Sequence, residues 1–148
     1  MATTQILGLK RSQLCHEHGE LEAMVATLFR VFTERHETPR RVAQLLENLQ
    51  ERVAAHFKDE EAAGLFQDLT RRMPQHAAEI ETLRSQHNHL LENLVKLNRV
   101  AGNGELTAEM WAELEHNFRN LTTELCHHEA RENELLQLAY DDDIGSHD

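Results

Sequence analysis

The sequence predicts an all-α protein, an up-down-up-down antiparallel four-helix bundle, and three observations carry that prediction. Only 2 Pro and 6 Gly interrupt a chain of 148 residues, and Leu, Ala, Glu, Gln and Arg, which lose little rotamer freedom in a helix, are abundant. The few breakers are widely spaced and cut the chain into four segments of helical length. Each segment places apolar residues at steps of three and four, as a bundle helix does, and none alternates as a strand would.

The first segment aligns Leu14, His18, Leu21, Val25, Leu28 and Phe32 on one face and stops before Thr38-Pro39. Thr38 suits an N-cap and Pro39 the first helical position of the second segment. That segment aligns Val42, Leu46, Leu49, Val53, His56 and Glu60. A break is expected from Gly64 through Thr70 to Pro74, after which Ile80, Leu83, His87, Leu90, Leu94 and Leu97 share a third face. Gly102-Asn103-Gly104 ends the third segment and Thr107 suits the cap of the fourth, whose stripe is Trp111, Leu114, Phe118, Leu121, Leu125, His128, Glu132 and Leu135. Short connections make consecutive helices antiparallel neighbours. One domain is expected over residues 1–140, with the acidic segment Asp141 to Asp148 as a flexible tail.

Composition narrows the function. A formal charge of -11, from 15 Lys plus Arg against 26 Asp plus Glu, repels phosphate backbones and anionic lipid, so neither nucleic acid nor membrane is an expected partner. No run of apolar residues is long enough to span a bilayer, and the start MATTQILGLKRSQ lacks the apolar stretch and cleavage site of a signal peptide; the expected location is the cytoplasm. Cys15 and Cys126 form no CxxC pair and are expected to be reduced thiols.

The chain carries 11 His, and in every segment one of them interrupts the apolar stripe. In antiparallel helices two residues share a height when the turn between them lies midway in sequence, because both helices rise equally per residue. The position midway between His18 and His56 falls beside Thr38-Pro39, that between His56 and His87 falls within Thr70 to Pro74, and that between His87 and His128 falls beside Thr107. Four histidines are thus expected in one layer, with Glu60 and Glu132 one helical turn, ~6 Å, away.

Any one of these positions is unremarkable by itself: a lone core histidine is usually a hydrogen-bonded packing residue, and HxxxE recurs off the pattern at His16/Glu20 and His18/Glu22. Together they would bury two carboxylates and four imidazoles in an apolar layer, a cost of several kcal/mol against a total stability of roughly 5–15 kcal/mol. A bound cation turns that liability into ligation. Imidazole and carboxylate without thiolate suit iron or manganese better than structural zinc. Six ligands, His18, His56, Glu60, His87, His128 and Glu132, exceed one tetrahedral ion and suit two octahedral ions ~3.5–4 Å apart, bridged by the two glutamates and an oxo or hydroxo group. His18 and His56 would then serve one side of the pair and His87 and His128 the other, with the assignment of each histidine to an ion open.

The ordered set Leu14-Cys15-His16-Glu17-His18-Gly19-Glu20-Leu21, His56-Phe57-Lys58-Asp59-Glu60-Glu61, Gln86-His87-Asn88-His89-Leu90 and His128-Glu129-Ala130-Arg131-Glu132 resembles the hemerythrin-like, or HHE cation-binding, domain across nearly the whole chain. The resemblance implies a four-helix bundle holding a non-haem di-iron centre, two iron ions ahead of manganese, that meets oxygen, peroxide or nitric oxide or that senses iron. Two departures from the classical carriers stand out. Their second ligand histidine on the third helix is replaced by Leu83, with Glu22, Glu61 and Glu129 as carboxylates placed to fill in. On the fourth helix they space histidine and carboxylate by five, which would select His127; the stripe selects His128. Ferritin-like di-iron proteins need ExxH on two helices, whereas Glu113/His116 and Glu124/His127 share one, so that family does not fit.

The expected function is therefore binding of, or reaction with, a small oxidant at a core di-iron site. The alternative is an iron- or oxygen-responsive sensing module without turnover. A third reading, a metal-free bundle whose histidines act as a pH switch, leaves Glu60 and Glu132 unexplained.

Overall fold

The computed structural model describes residues 19–145, with side chains through residue 141. The chain is all-helical, with five α-helices and no strand among the described residues. Helix α1 covers 19–34, α2 Pro39–Ala62, α3 Leu65–Arg72, α4 Ala77–Ala101 and α5 Ala108–Gly145, with a single 3-10 turn at Pro74–His76. Helix α5 continues into the acidic segment expected as a tail, as far as Gly145.

The caps form where the sequence places them. Thr38 Oγ1 accepts from the Arg41 N–H at 3.2 Å with Pro39 in the first turn of α2. Thr107 Oγ1 accepts from the Met110 N–H at 3.2 Å at the start of α5. Each satisfies a backbone donor that a helix start leaves without an intrahelical partner.

The segment between Gly64 and Pro74 departs from expectation. It is not only a break but carries a further helix, α3, entered through Gly64 at φ 72°. That left-handed conformation costs an L side chain roughly 1–2 kcal/mol, so glycine is the natural hinge there. Leu65, Phe66 and Leu69 line the buried face of α3, and with Met73 they pack on Ile80 and Leu83 of α4 and on Leu135, Leu136 and Ala139 of α5. Tertiary burial of this short apolar stripe outweighs the weak helix-forming tendency of an isolated eight-residue segment.

Contacts between helices follow a regular order. On α2 and α4, Gln50 meets Asn98 and Glu61 meets His87. On α4 and α5, Glu79 meets Arg131, Gln86 meets His128 and His89 faces Glu124. In each pair of helices, later positions of one meet earlier positions of the other.

Two apolar clusters result. The larger draws on α1, α2, α4 and α5, from Leu28, Phe32, Val42, Leu46, Leu94, Leu97, Trp111 and Phe118 among others, and the smaller draws on α3, α4 and α5. Along α4 the smaller cluster ends at Leu83 and the larger begins at Leu90; along α5 the larger ends at Leu121 and the smaller begins at Leu135. The interval between them is where the buried polar side chains lie. No helix among the described residues is long and apolar enough to cross a membrane.

Candidate metal centre

Six charged or polar residues are buried among the described residues: His56, Glu60, His87, His128, Glu129 and Glu132. Five of these are residues the sequence selects; the sixth selected residue, His18, lies outside the described residues. Two helices deliver a His/Glu pair by spacing and a third a single histidine. His56 and Glu60 on α2, and His128 and Glu132 on α5, stand four apart and so share a helical face. His87 projects from the middle of α4 between Leu83 and Leu90 of the same stripe.

The ligand atoms converge. His56 Nε2 lies 3.5 Å from Glu60 Oε1, His87 Nε2 lies 3.6 Å from the same oxygen, and His128 Nε2 lies 3.2 Å from Glu132 Oε2. Two groups have ligand atoms that all fall within 4.8 Å of one another: His87, His128 and Glu132, and His56, Glu60 and Glu132. Glu132 belongs to both. Around an octahedral ion with ligand atoms at ~2.1 Å, adjacent ligand atoms stand roughly 3 Å apart, so the observed separations fit neighbouring ligand positions.

The chemistry of the polar atoms in this cluster fits a cation. Both carboxylate oxygens of Glu60, Nε2 of His87 and Nε2 of His128 are buried and make no hydrogen bond among the described residues. Buried polar atoms are nearly always paired, so a cluster of acceptors left open toward one another has the donor set of a metal site. A cation held there would take Glu60, Glu132, His56, His87 and His128 as ligands.

Outside the cluster the imidazoles are held from behind. His87 Nδ1 is 3.3 Å from Glu61 Oε1, and His128 Nδ1 is 2.8 Å from Gln86 Oε1. This is the arrangement that fixes the tautomer of a metal-binding histidine, with the outer nitrogen donating and the inner one free to ligate. Phe57 stacks flat on His87 at 3.8 Å between ring centroids, and Phe66 of α3 meets the same imidazole edge-on at 5.2 Å. Burial among these rings, reinforced by the neighbouring His128 and His56, pushes the His87 pKa down to about 3. Burial likewise lowers that of His128, opposed by the Glu129 carboxylate. Both imidazoles are thereby kept neutral, the form in which nitrogen binds metal.

A family model for the hemerythrin HHE cation-binding domain matches residues 11–137. The chain belongs to that family. No curated protein matches the chain. Nor does any solved structure.

Within this hemerythrin-like domain the two departures read from the sequence acquire positions. His128 is buried with its Nε2 at Glu132, whereas His127 is exposed on the rim of the α4–α5 groove. Leu83 is buried and packs in the smaller apolar cluster. Of the three carboxylates placed to stand in, Glu22 is exposed and Glu61 is engaged by His87 Nδ1. Glu129 is the buried one, with Oε1 3.2 Å from His56 Nε2, though it belongs to neither three-ligand group. His36, His89 and His116 are exposed, and Cys126 is a free, exposed thiol.

Sequence reasoning offered Glu61 as a stand-in ligand rather than as the partner behind His87, and it missed Gln86. Glu61 and His87 are 26 residues apart, and Gln86 and His128 are 42 apart. Only interhelical register brings them together, and no spacing on a single helix marks them.

Proposed function

We propose that this domain holds two iron ions between the helices and binds or reduces a small oxidant of the oxygen, peroxide or nitric oxide class. The observation that carries the reading is the pair of overlapping ligand groups that share Glu132. Two groups with a common carboxylate suit two ions, which Glu132, common to both groups, and Glu60, near both His56 and His87, would hold between the histidines. His18, three residues before Leu21 on the stripe read from the sequence, is proposed as the remaining ligand on the His56 side. Iron is preferred over manganese because imidazole supplies half of the six ligands or more.

The proposal includes the up-down-up-down four-helix bundle, formed by α1, α2, α4 and α5, with α3 closing one end. The interhelical pairings of α2 with α4 and α4 with α5 support it. The acidic charge of -11 supports a small molecule rather than nucleic acid or an anionic membrane as partner, and the proposal keeps the cytoplasm as the location.

Iron held by these residues would supply the electrons for reduction of an oxidant. The chain's own residues prepare the site for that chemistry. Phe57, Phe66 and Leu83 exclude bulk water from the His87 side. Glu60 and Glu132 would supply the negative charge that balances the cations. A specific observation also favours the sensing alternative: so many open buried acceptors make the stability of the layer depend on metal occupancy, a quantity a partner protein can read.

The test is metal content per chain for protein purified from iron-replete cells, alongside His128→Ala and His127→Ala. About two irons per wild-type chain, retained in His127→Ala and reduced in His128→Ala, is the expected result. A wild-type protein that carries no metal and stays fully folded in chelator overturns the reading. Turnover of oxygen, peroxide or nitric oxide by the loaded protein then separates reaction from sensing.

A further inference from the structure

Two histidines of one ligand group, His87 and His128, are backed by chemically different partners. Behind His87 stands the Glu61 carboxylate, and behind His128 the Gln86 amide. The second contact is the tighter, 2.8 Å against 3.3 Å. Its direction is fixed by valence: if Nε2 of a neutral imidazole faces a cation, Nδ1 carries the hydrogen, so only the side-chain carbonyl of Gln86 can receive it.

Gln86 itself sits one residue before His87 on α4, yet its side chain crosses to α5. It lies on the wall of a groove of ≈ 540 Å³ between the two helices, together with Thr82, Leu83, His127, His128 and Arg131. Arg131 is bound in a bidentate ion pair to Glu79 and also to Glu134, so its guanidinium is engaged elsewhere. Among the described residues, Gln86 is the hydrogen-bond partner His128 Nδ1 has. Being half-buried at a groove, Gln86 is also replaceable without opening a cavity in either apolar cluster.

We propose that Gln86 is a positioning residue for the metal centre, holding His128 with Nδ1–H toward the α4–α5 groove and Nε2 toward the metal. The inference rests on the di-iron reading and adds to it a residue outside the ligand set. A neutral amide holds the ring without pushing negative charge into it, unlike the carboxylate behind His87. The centre therefore receives unequal donation from two histidines of the same group, and Gln86 sets the weaker share.

The experiment loads the full chain with ferrous iron without oxygen and follows iron release to a chelator, the midpoint potential and the melting temperature of the metal-free form. Gln86→Leu, which removes the acceptor, is expected to release iron roughly 10–100-fold faster while the metal-free protein melts as the wild type does. Gln86→Glu, which restores an acceptor of the same reach, is expected to return slow release and to lower the midpoint potential. Release from Gln86→Leu at the wild-type rate, or equally fast release from both variants, overturns the role of Gln86 while leaving the di-iron reading in place. A wild-type chain that takes up no iron overturns both.

Discussion

The two apolar clusters that flank the polar layer are built differently. The larger interlocks aromatic rings from α1 and α5: Phe29 meets Phe118 at 5.0 Å, Phe32 meets Phe118 at 5.2 Å and Trp111 at 6.3 Å, all tilted or edge-on. The smaller is mostly aliphatic and closes over α3, and its one aromatic ring, Phe66, turns toward His87. Both reach the site, the larger through Phe57 stacked on His87 at 3.8 Å and the smaller through Phe66 at 5.2 Å, but the rings of Phe29, Phe32, Trp111 and Phe118 pack on one another. The difference teaches that the aromatic contacts between α1 and α5 satisfy themselves, while the polar layer depends on whatever satisfies its buried carboxylates.

The largest effect separates the ends directly. Phe118→Ala, which empties the centre of the aromatic cluster, is expected to cost about 3–5 kcal/mol in chemical denaturation, equally with and without chelator. A loss that changes with metal would show that the two ends are coupled and break the comparison.

Acid probes the site end. His87 is held down to about 3 from its usual 6.5 by burial, so between those values the unfolded chain takes up a proton that the folded one refuses. Stability of the metal-free protein therefore falls as pH drops through that window, by as much as ~1.4 kcal/mol for each pH unit from this residue. His128, lowered by the same cause, adds in the same direction. Denaturation midpoints measured across that range check the slope, and His87→Gln should flatten it. A pH-independent midpoint would remove the site end's distinct character.

Smaller effects sharpen the contrast. Thr107→Ala removes the cap of α5 at the aromatic end, where about 1 kcal/mol should be lost with metal content unchanged. His127→Ala, at an exposed position one residue from the buried His128, should change stability by no more than about 0.5 kcal/mol.

Much of the molecule is legible in the sequence because helical periodicity is a local property. The stripes, the Thr38 and Thr107 caps, and the choice of His128 over His127 follow from which positions share a face. Equal rise per residue carries that logic across turns, which is why His56, His87 and His128 reach one layer. The logic fails for α3, whose eight residues are too short to announce themselves by periodicity and fold because Leu65, Phe66 and Leu69 find a surface to cover. It leaves open the choice among Glu22, Glu61 and Glu129, of which the packing of α5 buries Glu129 beside His56.

By itself, then, the sequence determined the helical class, the starts of α2 and α5 and five of the six polar residues buried among the described residues, all of which depend on residue type and on spacing along one helix. Tertiary structure alone decided which carboxylate is shared between the two ligand groups, which partner stands behind each imidazole and what closes the end beneath them. Those depend on the rotation and register of helices against one another, set by the collective fit of many side chains rather than by any short stretch of chain.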